Sequence, residues 1–408
     1  MLYGRRRGRR TKEFGAVMDY SCLLNQKIQN LKPSGIRRFF DIANEMDHVI
    51  SLSIGEPDFT TPWHVRQEGI ESLRRGKTWY SPNRGFAELR SQISNYFARR
   101  FDVEYDPEKE ILVTVGGSEA IDLCIRAIID NGDEVLIPQP SFVCYEPMTV
   151  MAGGTPVIIR TRSENEFRLT AQELEAAITP KTKLLILPFP NNPTGAVMRR
   201  EHLEEIAKVV EKHNILVLSD EIYGELTYGR ERHVSFASIK GMRERTIVVN
   251  GFSKSYAMTG WRLGYALGPE EVISQMTKLH QYAIMSAPTT AQYAAIEALK
   301  HGDADIERMR EEYDTRRRLI VDGFCRMGLT CFEPEGAFYV FPSIKISGLT
   351  SEDFCEKLIY AQHVAIVPGT AFGECGEGFA RVSYSYSLKH IRQALERIEI
   401  FLSEGNKA

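Results

Sequence analysis

Between about residue 61 and about residue 299, short apolar runs alternate with stretches whose polar and apolar positions have the spacing of amphipathic helices. Glu134–Ile137 is one such apolar run and predicts a strand, whereas Glu201–Lys212 predicts a helix with one apolar face. Alternation of this kind is typical of a mostly parallel sheet with helices on both faces. The pattern therefore predicts an α/β fold for this part of the chain.

The pattern changes beyond about residue 300, where strand-like runs become rare. The predicted elements of this region are a long helix, a strand and two more helices, over residues 306–327, 338–342, 351–362 and 388–403. We expect these elements to form a smaller α+β domain over residues 301–408, which residues 18–60 join. Residues 61–300 then form the large domain.

Residues 1–17 are unlike the rest of the chain because arginine fills positions 5–7 and 9–10. The segment lacks the apolar stretch of a secretory signal, and the arginine run is short for a nucleic-acid-binding arm. We interpret it as a disordered basic tail, or as an extension that precedes a second start at Met18.

The composition narrows the class of protein. The chain has 408 residues, 43% of them hydrophobic, and a net charge of −3, which gives no field that would recruit nucleic acid or a membrane. Seven cysteines without a Cys-x-x-Cys pair argue against a disulfide framework and a structural zinc site. Because no apolar run approaches the roughly 20 residues that span a bilayer, we expect a cytoplasmic protein without a bound metal.

The candidate chemistry is densest around Lys254 and Arg262. Lys254 follows the apolar run Thr246–Val249 within a Gly- and Ser-containing turn, and Arg262 comes shortly afterwards. A desolvated lysine can form a Schiff base with a carbonyl compound, and an arginine can bind a phosphate through two parallel hydrogen bonds. Together they indicate pyridoxal 5'-phosphate, although each residue could also be a solvated cation of a surface turn.

Two other segments fit the same cofactor. Asp220 ends the apolar run 215–219, where a carboxylate could keep a pyridine nitrogen protonated; the alternative is that Asp220 caps a following helix. Gly116 and Gly117 lie between a predicted strand and a helix that runs to Ile128. Free N–H groups at such a helix start can bind an anion.

The run over residues 253–265 resembles the lysine signature of the class I/II aminotransferases, and matching segments follow the family's order from about residue 30 to about residue 400. The resemblance implies fold-type I architecture: a large domain with a mostly parallel, seven-stranded sheet between helices, and a smaller α+β domain. It also implies pyridoxal 5'-phosphate as the cofactor, bound to Lys254 as a Schiff base.

The resemblance assigns the other cofactor contacts residue by residue. Asp220 faces the ring nitrogen, and Asn192 and Tyr223 donate to the phenolic oxygen. Phe142 stacks on the ring. The expected phosphate-binding residues are Gly117, Ser118, Glu119, Ser253 and Arg262. Gly251 departs from relatives that carry a hydroxyl residue at its position, so we expect fewer phosphate contacts there.

The resemblance also implies how the substrate is held and how the chains associate. Arg381 is the expected clamp for the α-carboxylate of an amino acid, and the loop at Gly55 closes over the same group. Tyr80 matches a tyrosine that reaches the phosphate of the neighbouring subunit's cofactor. A homodimer with shared active sites follows from that match.

Three functions remain open for this fold. We expect an aminotransferase that moves an amino group between an L-amino acid and a 2-oxo acid, similar to the aromatic, aspartate and N-acetyl-diaminopimelate branch. A pyridoxal-phosphate-dependent C–S β-lyase is an alternative, because both reactions begin alike. A ligand-sensing regulator is a remote one, since only about 30 residues precede the matched segments and a DNA-binding domain needs about 50. The sequence leaves the substrate open; Arg37 is a candidate for binding a side-chain carboxylate.

Overall fold

The computed structural model describes residues 18, 20–33, 35–229 and 231–405. The chain forms two compact units, one up to Lys32 and one from Pro33 onward. In the first unit a short helix begins after Asn25, whose side chain accepts hydrogen bonds from the backbone of the first turn. The predicted basic tail, residues 1–17, lies outside the described residues.

The helices follow the predicted order. In chain order they are α1 Gln26–Gln29, α2 Gly35–Glu45, α3 Trp63–Arg74, α4 Ala87–Phe101, α5 Gly117–Ile128, α6 Tyr145–Ala152, α7 Ala171–Ala177, α8 Arg200–His213, α9 Phe252–Ser255, α10 Glu270–Ala283, α11 Thr289–His301, α12 Asp303–Arg326, α13 Ser351–Gln362 and α14 Leu388–Gly405. Within the part of the chain that the structure describes, no helix is long and apolar enough to cross a membrane.

The strands are short and mostly buried. They are β1 Ile50–Ser51, β2 Ile111–Thr114, β3 Glu134–Gln139, β4 Thr155–Arg160, β5 Thr182–Leu187, β6 Leu216–Asp220, β7 Thr246–Gly251, β8 Gly264–Leu267, β9 Tyr339–Val340, β10 Val364–Ala365, β11 Val367–Pro368 and β12 Ala380–Ser383.

Seven of these strands form the central sheet, in the order β2-β8-β7-β6-β5-β3-β4. The pairs from β7 to β4 are parallel, and β8 is antiparallel to both of its neighbours. The predicted seven-stranded, mostly parallel sheet is therefore confirmed.

Side-chain alternation along β7 shows how the sheet is covered. Val248 belongs to a cluster with residues of α4 and α11, whereas Ile247 and Val249 belong to another cluster with residues of α5 and α10. Since successive side chains of a strand point to opposite faces, helices cover both faces of this sheet. An apolar run such as Thr246–Val249 is therefore buried on both sides.

The region beyond residue 300 is built differently. β11, β12 and β9 form an antiparallel sheet, and β1 pairs with β10. Its core combines Phe39, Ile50 and Leu52 with C-terminal residues, so both ends of the chain contribute. The domain boundaries at residues 60 and 300 stay a prediction.

Two predicted boundaries differ from the structure. The long helix begins at Asp303 rather than at residue 306, because Asp303 and Asp305 supply the acidic first turn that a helix start favours. The strand predicted over residues 338–342 covers only Tyr339–Val340. Pro342 lacks the N–H group that would continue the ladder.

One glycine allows the sheet and the start of α5 to approach closely. A Cβ atom at Gly264 would lie 2.6 Å from the carbonyl carbon of Gly116 and 2.6 Å from the nitrogen of Gly117. Both are backbone atoms, so a larger residue would push β8 away from α5. At Gly260 a Cβ atom would have no neighbour within 4 Å.

We predict that Gly264→Ala lowers the free energy of unfolding by about 1–3 kcal/mol, the usual cost of forcing an extra carbon into a packed core. Urea denaturation of both variants measures it. Gly260→Ala is the matched control and should leave the midpoint nearly unchanged. Equal stability of the two variants would contradict the close approach described here.

Candidate active site

A cavity of about 420 Å³ opens at the carboxyl ends of β6 and β7, beside the start of α5. Open α/β sheets commonly bind ligands at this edge. The predicted site residues in its wall are Gly55, Gly117, Ser118, Phe142, Asn192, Asp220, Tyr223, Ser253, Lys254, Arg262 and Arg381. Of the site residues that the resemblance assigns, the cavity wall thus contains all except Glu119 and Tyr80.

Lys254 lies on α9, directly after β7, and its Nζ donates a 2.7 Å hydrogen bond to the Gly55 carbonyl oxygen. The pKa of this amine is lowered to about 8, mainly by burial; the charges of Arg381 and Arg262 contribute to the shift, whereas those of Glu56 and Asp220 oppose it. A fraction of the amine is therefore neutral near physiological pH, as a nucleophile requires.

Asp220 ends β6 and is almost fully buried. Its Oδ2 accepts a 2.7 Å hydrogen bond from the Tyr145 hydroxyl, and its Oδ1 accepts one of 3.2 Å from the Ile222 N–H. Burial raises the pKa of the carboxyl group, which these hydrogen bonds partly offset. Turns rather than a helix follow Asp220, so the helix-cap alternative is wrong.

Arg381 on β12 is buried in the cavity wall. Its Nη1 donates a 3.0 Å hydrogen bond to Asn192 Oδ1, and its Nη2 donates to the Ser53 carbonyl oxygen. The rings of Tyr339 and Phe372 lie 4.6 and 4.8 Å from the guanidinium carbon. These contacts hold the guanidinium plane in one orientation.

Tyr223 follows Asp220 in the turn after β6 and is buried. Its hydroxyl oxygen lies 2.9 Å from that of Tyr339, and either group can be the donor. Burial raises the pKa of both tyrosines, so both hydroxyls stay protonated. Phe142, another wall residue, packs edge-on against Tyr145.

The start of α5 and Arg262 form a basic corner of the cavity. Gly116 has a φ of +78°, and a Cβ atom there would lie 2.6 Å from Arg262 Nη2. The absence of a side chain at Gly116 lets the guanidinium lie against the backbone at the start of α5. An arginine beside the free N–H groups of a helix start is a site for a phosphate.

Gly251 explains one departure from the family pattern. A Cβ atom at this position would lie 2.9 Å from the Gly264 Cα and 3.1 Å from the Leu263 carbonyl oxygen. The close pairing of β7 with β8 therefore leaves no room for a hydroxyl side chain. Ser253, two residues on, remains in the cavity wall.

Glu119 does not present its carboxylate to the cavity. One carboxylate oxygen accepts a hydrogen bond from the Val115 N–H, and the other lies 2.7 Å from His280 Nδ1. A carboxylate facing the anion site would also repel a phosphate. The expected contact of Glu119 with the phosphate stays a prediction, and it would have to be made by the backbone N–H of Glu119 in the first turn of α5.

Tyr80 lies away from the cavity of its own chain, and 78% of its surface is exposed. The neighbouring Trp79 is 56% exposed. Arg37 lies on α2, but its side chain is outside the described part of the structure.

Sequence reasoning missed two tyrosines in the cavity wall. Tyr145 lies three residues after Phe142, and Tyr339 begins an apolar strand. Both resembled core residues, because a tyrosine in an apolar run is usually one. The predicted burial of the Asp220 carboxylate is the signal that could have suggested Tyr145. A buried carboxylate needs a hydrogen-bond donor, and a nearby tyrosine can supply one.

Comparison with known proteins agrees with this arrangement. Residues 47–398 match the family described as aminotransferase class I and II. The chain is 50% identical to the putative aminotransferase YugH of Bacillus subtilis (strain 168), covering 93% of this chain and 98% of that one. It is 46% identical to the aspartate aminotransferase of Pyrococcus abyssi, with the same coverage.

A solved structure shows the same fold. The aromatic aminotransferase from Pyrococcus horikoshii OT3 superposes with a TM-score of 0.86 at 46% identity, over 90% of this chain and 99% of that one. The chain belongs to the class I and II aminotransferases. It is an enzyme that transfers amino groups, as predicted, and these relatives give no support to the C–S lyase alternative.

Proposed function

We propose that the cavity binds pyridoxal 5'-phosphate and that the enzyme uses it to move an amino group between an L-amino acid and a 2-oxo acid. The observation that carries the proposal is the placement of Lys254, Asp220 and Arg262 in the wall of one cavity. An amine, a carboxylate and a guanidinium match the aldehyde, ring nitrogen and phosphate of this cofactor.

The remaining wall residues fit the rest of the cofactor. The phosphate would be held by Gly117, Ser118, Ser253 and Arg262. Gly116 leaves room for the guanidinium of Arg262, which a Cβ atom at that position would obstruct. Phe142 would lie against the ring. Asn192 accepts from Arg381 with its Oδ1, which leaves its amide nitrogen to donate to the phenolic oxygen together with Tyr223.

When bound, the cofactor supplies an electron sink for the electrons left at the substrate's α carbon. Asp220 keeps the ring nitrogen protonated, which requires its carboxyl group to be ionised when the cofactor is present. Arg381 holds the substrate carboxylate through two parallel hydrogen bonds, and the loop at Gly55 closes over it. Lys254 Nζ, once released as a free amine, would be the base that takes the proton from the substrate's α carbon.

We also propose a homodimer in which Tyr80 donates to the phosphate bound by the partner chain. The exposure of Tyr80 and Trp79 supports this, because large aromatic side chains are enriched at protein interfaces. The predicted domain division and the cytoplasmic location remain predictions. Two of the named relatives are an aspartate aminotransferase and an aromatic aminotransferase, so aspartate and aromatic amino acids are both candidate donors here.

The covalent role of Lys254 is tested by reduction. Purified protein loaded with pyridoxal 5'-phosphate should be yellow, and borohydride should bleach the colour and fix the cofactor to Lys254, as peptide mass spectrometry would show. Lys254→Ala should still bind the cofactor reversibly through the phosphate site, without turnover. A label on another lysine would disprove the assignment.

The role of Tyr80 is tested with heterodimers of Lys254→Ala and Tyr80→Phe chains, purified through two different tags. If Tyr80 acts on the partner's site, one site carries both changes and the other is intact, so we expect about half of the wild-type activity per dimer. Activity no higher than that of a Tyr80→Phe site, with its weaker cofactor binding, would contradict the role. A stable, active monomer would also contradict it.

A further inference from the structure

Tyr339 is a fully buried residue in the cavity wall that the predicted site does not include. It lies on β9, which pairs antiparallel with β12 so that Tyr339 is opposite Ser383. Arg381 is two residues along β12 from Ser383, on the same face, and is therefore the diagonal neighbour of Tyr339. This register brings the aromatic ring to 4.6 Å from the guanidinium carbon.

The hydroxyl of Tyr339 has a different contact. It lies 2.9 Å from the Tyr223 hydroxyl, and a Cβ atom at Gly55 would lie 2.4 Å from its oxygen. Both tyrosines are buried and protonated, so two hydroxyl hydrogens serve two neighbouring oxygens. One hydrogen fills the bridge between them, and the other hydrogen is directed elsewhere.

We propose that Tyr339 is a positioning residue for two parts of the site, the part that binds the substrate carboxylate and the part that binds the cofactor. Its ring orients Arg381 for the substrate carboxylate, and its hydroxyl donates to Tyr223, which directs the Tyr223 hydrogen to the phenolic oxygen of the cofactor. The second role rests on the proposed cofactor site. A donor to Tyr223 also polarises its O–H bond and strengthens the donation onward.

A purely structural role fits Tyr339 less well than it fits other buried tyrosines nearby. The hydroxyls of Tyr228 and Tyr384 both donate to the Ala337 carbonyl oxygen, a contact that only fixes the backbone. The Tyr339 hydroxyl instead meets the side chain expected to bind the cofactor. Its ring, like that of Phe372, lies against the guanidinium of Arg381.

The experiment separates the hydroxyl from the ring. Tyr339→Phe keeps the ring, Tyr339→Leu removes it, and Tyr384→Phe is the matched control that loses a buried hydroxyl without contacting Tyr223. Each variant is loaded with pyridoxal 5'-phosphate and checked for the borohydride adduct on Lys254. Two quantities are then measured: the pH midpoint of the absorbance change of the Lys254-bound cofactor, and the inhibition constants of succinate and 3-phenylpropionate.

For Tyr339→Phe we expect the pH midpoint to rise by up to about one unit, because weaker donation by Tyr223 destabilises the phenolate beside the lysine nitrogen. Inhibition by both carboxylates should change less than about twofold, because the ring remains. For Tyr339→Leu, carboxylate inhibition should weaken by about 5- to 30-fold, as loss of a desolvated cation–π contact implies. Tyr384→Phe should change neither quantity.

An unchanged or lowered midpoint in Tyr339→Phe would overturn the role of the hydroxyl. Unchanged carboxylate inhibition in Tyr339→Leu, or in Tyr339→Met should the leucine variant not fold, would overturn the role of the ring. An equal shift of the pH midpoint in Tyr384→Phe would show that the loss of any buried hydroxyl has this effect, and it would overturn the positioning role of Tyr339. A wild-type protein without the Lys254 adduct would instead contradict the proposed cofactor site itself, and the role of the hydroxyl with it.

Discussion

The site depends on two adjacent parallel strands that end together and leave opposite charges buried beside one cavity. β6 pairs with β7 so that Asp220 is opposite Val249, and Lys254 follows β7 within one short helix. Burial raises the pKa of the carboxyl group and lowers that of the amine. Burial therefore makes both charged forms unfavourable in free energy. A ligand with complementary charges would stabilise them, since a buried charge is stable only when it is paired.

The second requirement is that the C-terminal strands place a buried arginine, Arg381, in the wall of the same cavity. β12 carries Arg381, and the pairing of β12 with β9 places Tyr339 against it. The hydrogen bond to Asn192 ties this cation to the loop after β5. Arg381, which is proposed to bind the substrate carboxylate, and Asn192, a proposed donor to the cofactor, are thus in contact. The effects of substitutions at these two residues are therefore expected to be non-additive.

The alternation of apolar runs with amphipathic stretches predicted the sheet, and the family resemblance supplied most of the candidate site residues. Charged residues at the ends of apolar runs are unusual, and they are therefore informative without the resemblance. Lys254 and Asp220 are such residues, and both lie in the cavity wall. The direction of a side chain is harder to predict. Glu119 opens α5 as expected, yet its carboxylate turns back to the Val115 N–H and to His280 on α10, a contact that only the packed structure defines.

Tyrosines were missed for a related reason. In an apolar run a tyrosine predicts a core residue, and the function of its hydroxyl depends on a partner distant in sequence. Tyr145 and Asp220 are 75 residues apart in sequence, and Tyr339 and Tyr223 are 116 residues apart. Such pairings depend on how α6, β9 and the turn after β6 pack in the folded chain, which the sequence pattern alone does not define.

The most direct test of this account is the activity of Asp220→Asn, which removes the buried negative charge but keeps a group that can accept the Tyr145 hydrogen bond. We expect kcat to fall by about 100-fold or more, in line with the roughly 3 kcal/mol or more lost when a buried ion pair is broken. A cofactor analogue methylated at the ring nitrogen, which stays positively charged, should restore part of the rate. An Asp220→Asn enzyme with the wild-type rate would contradict the account.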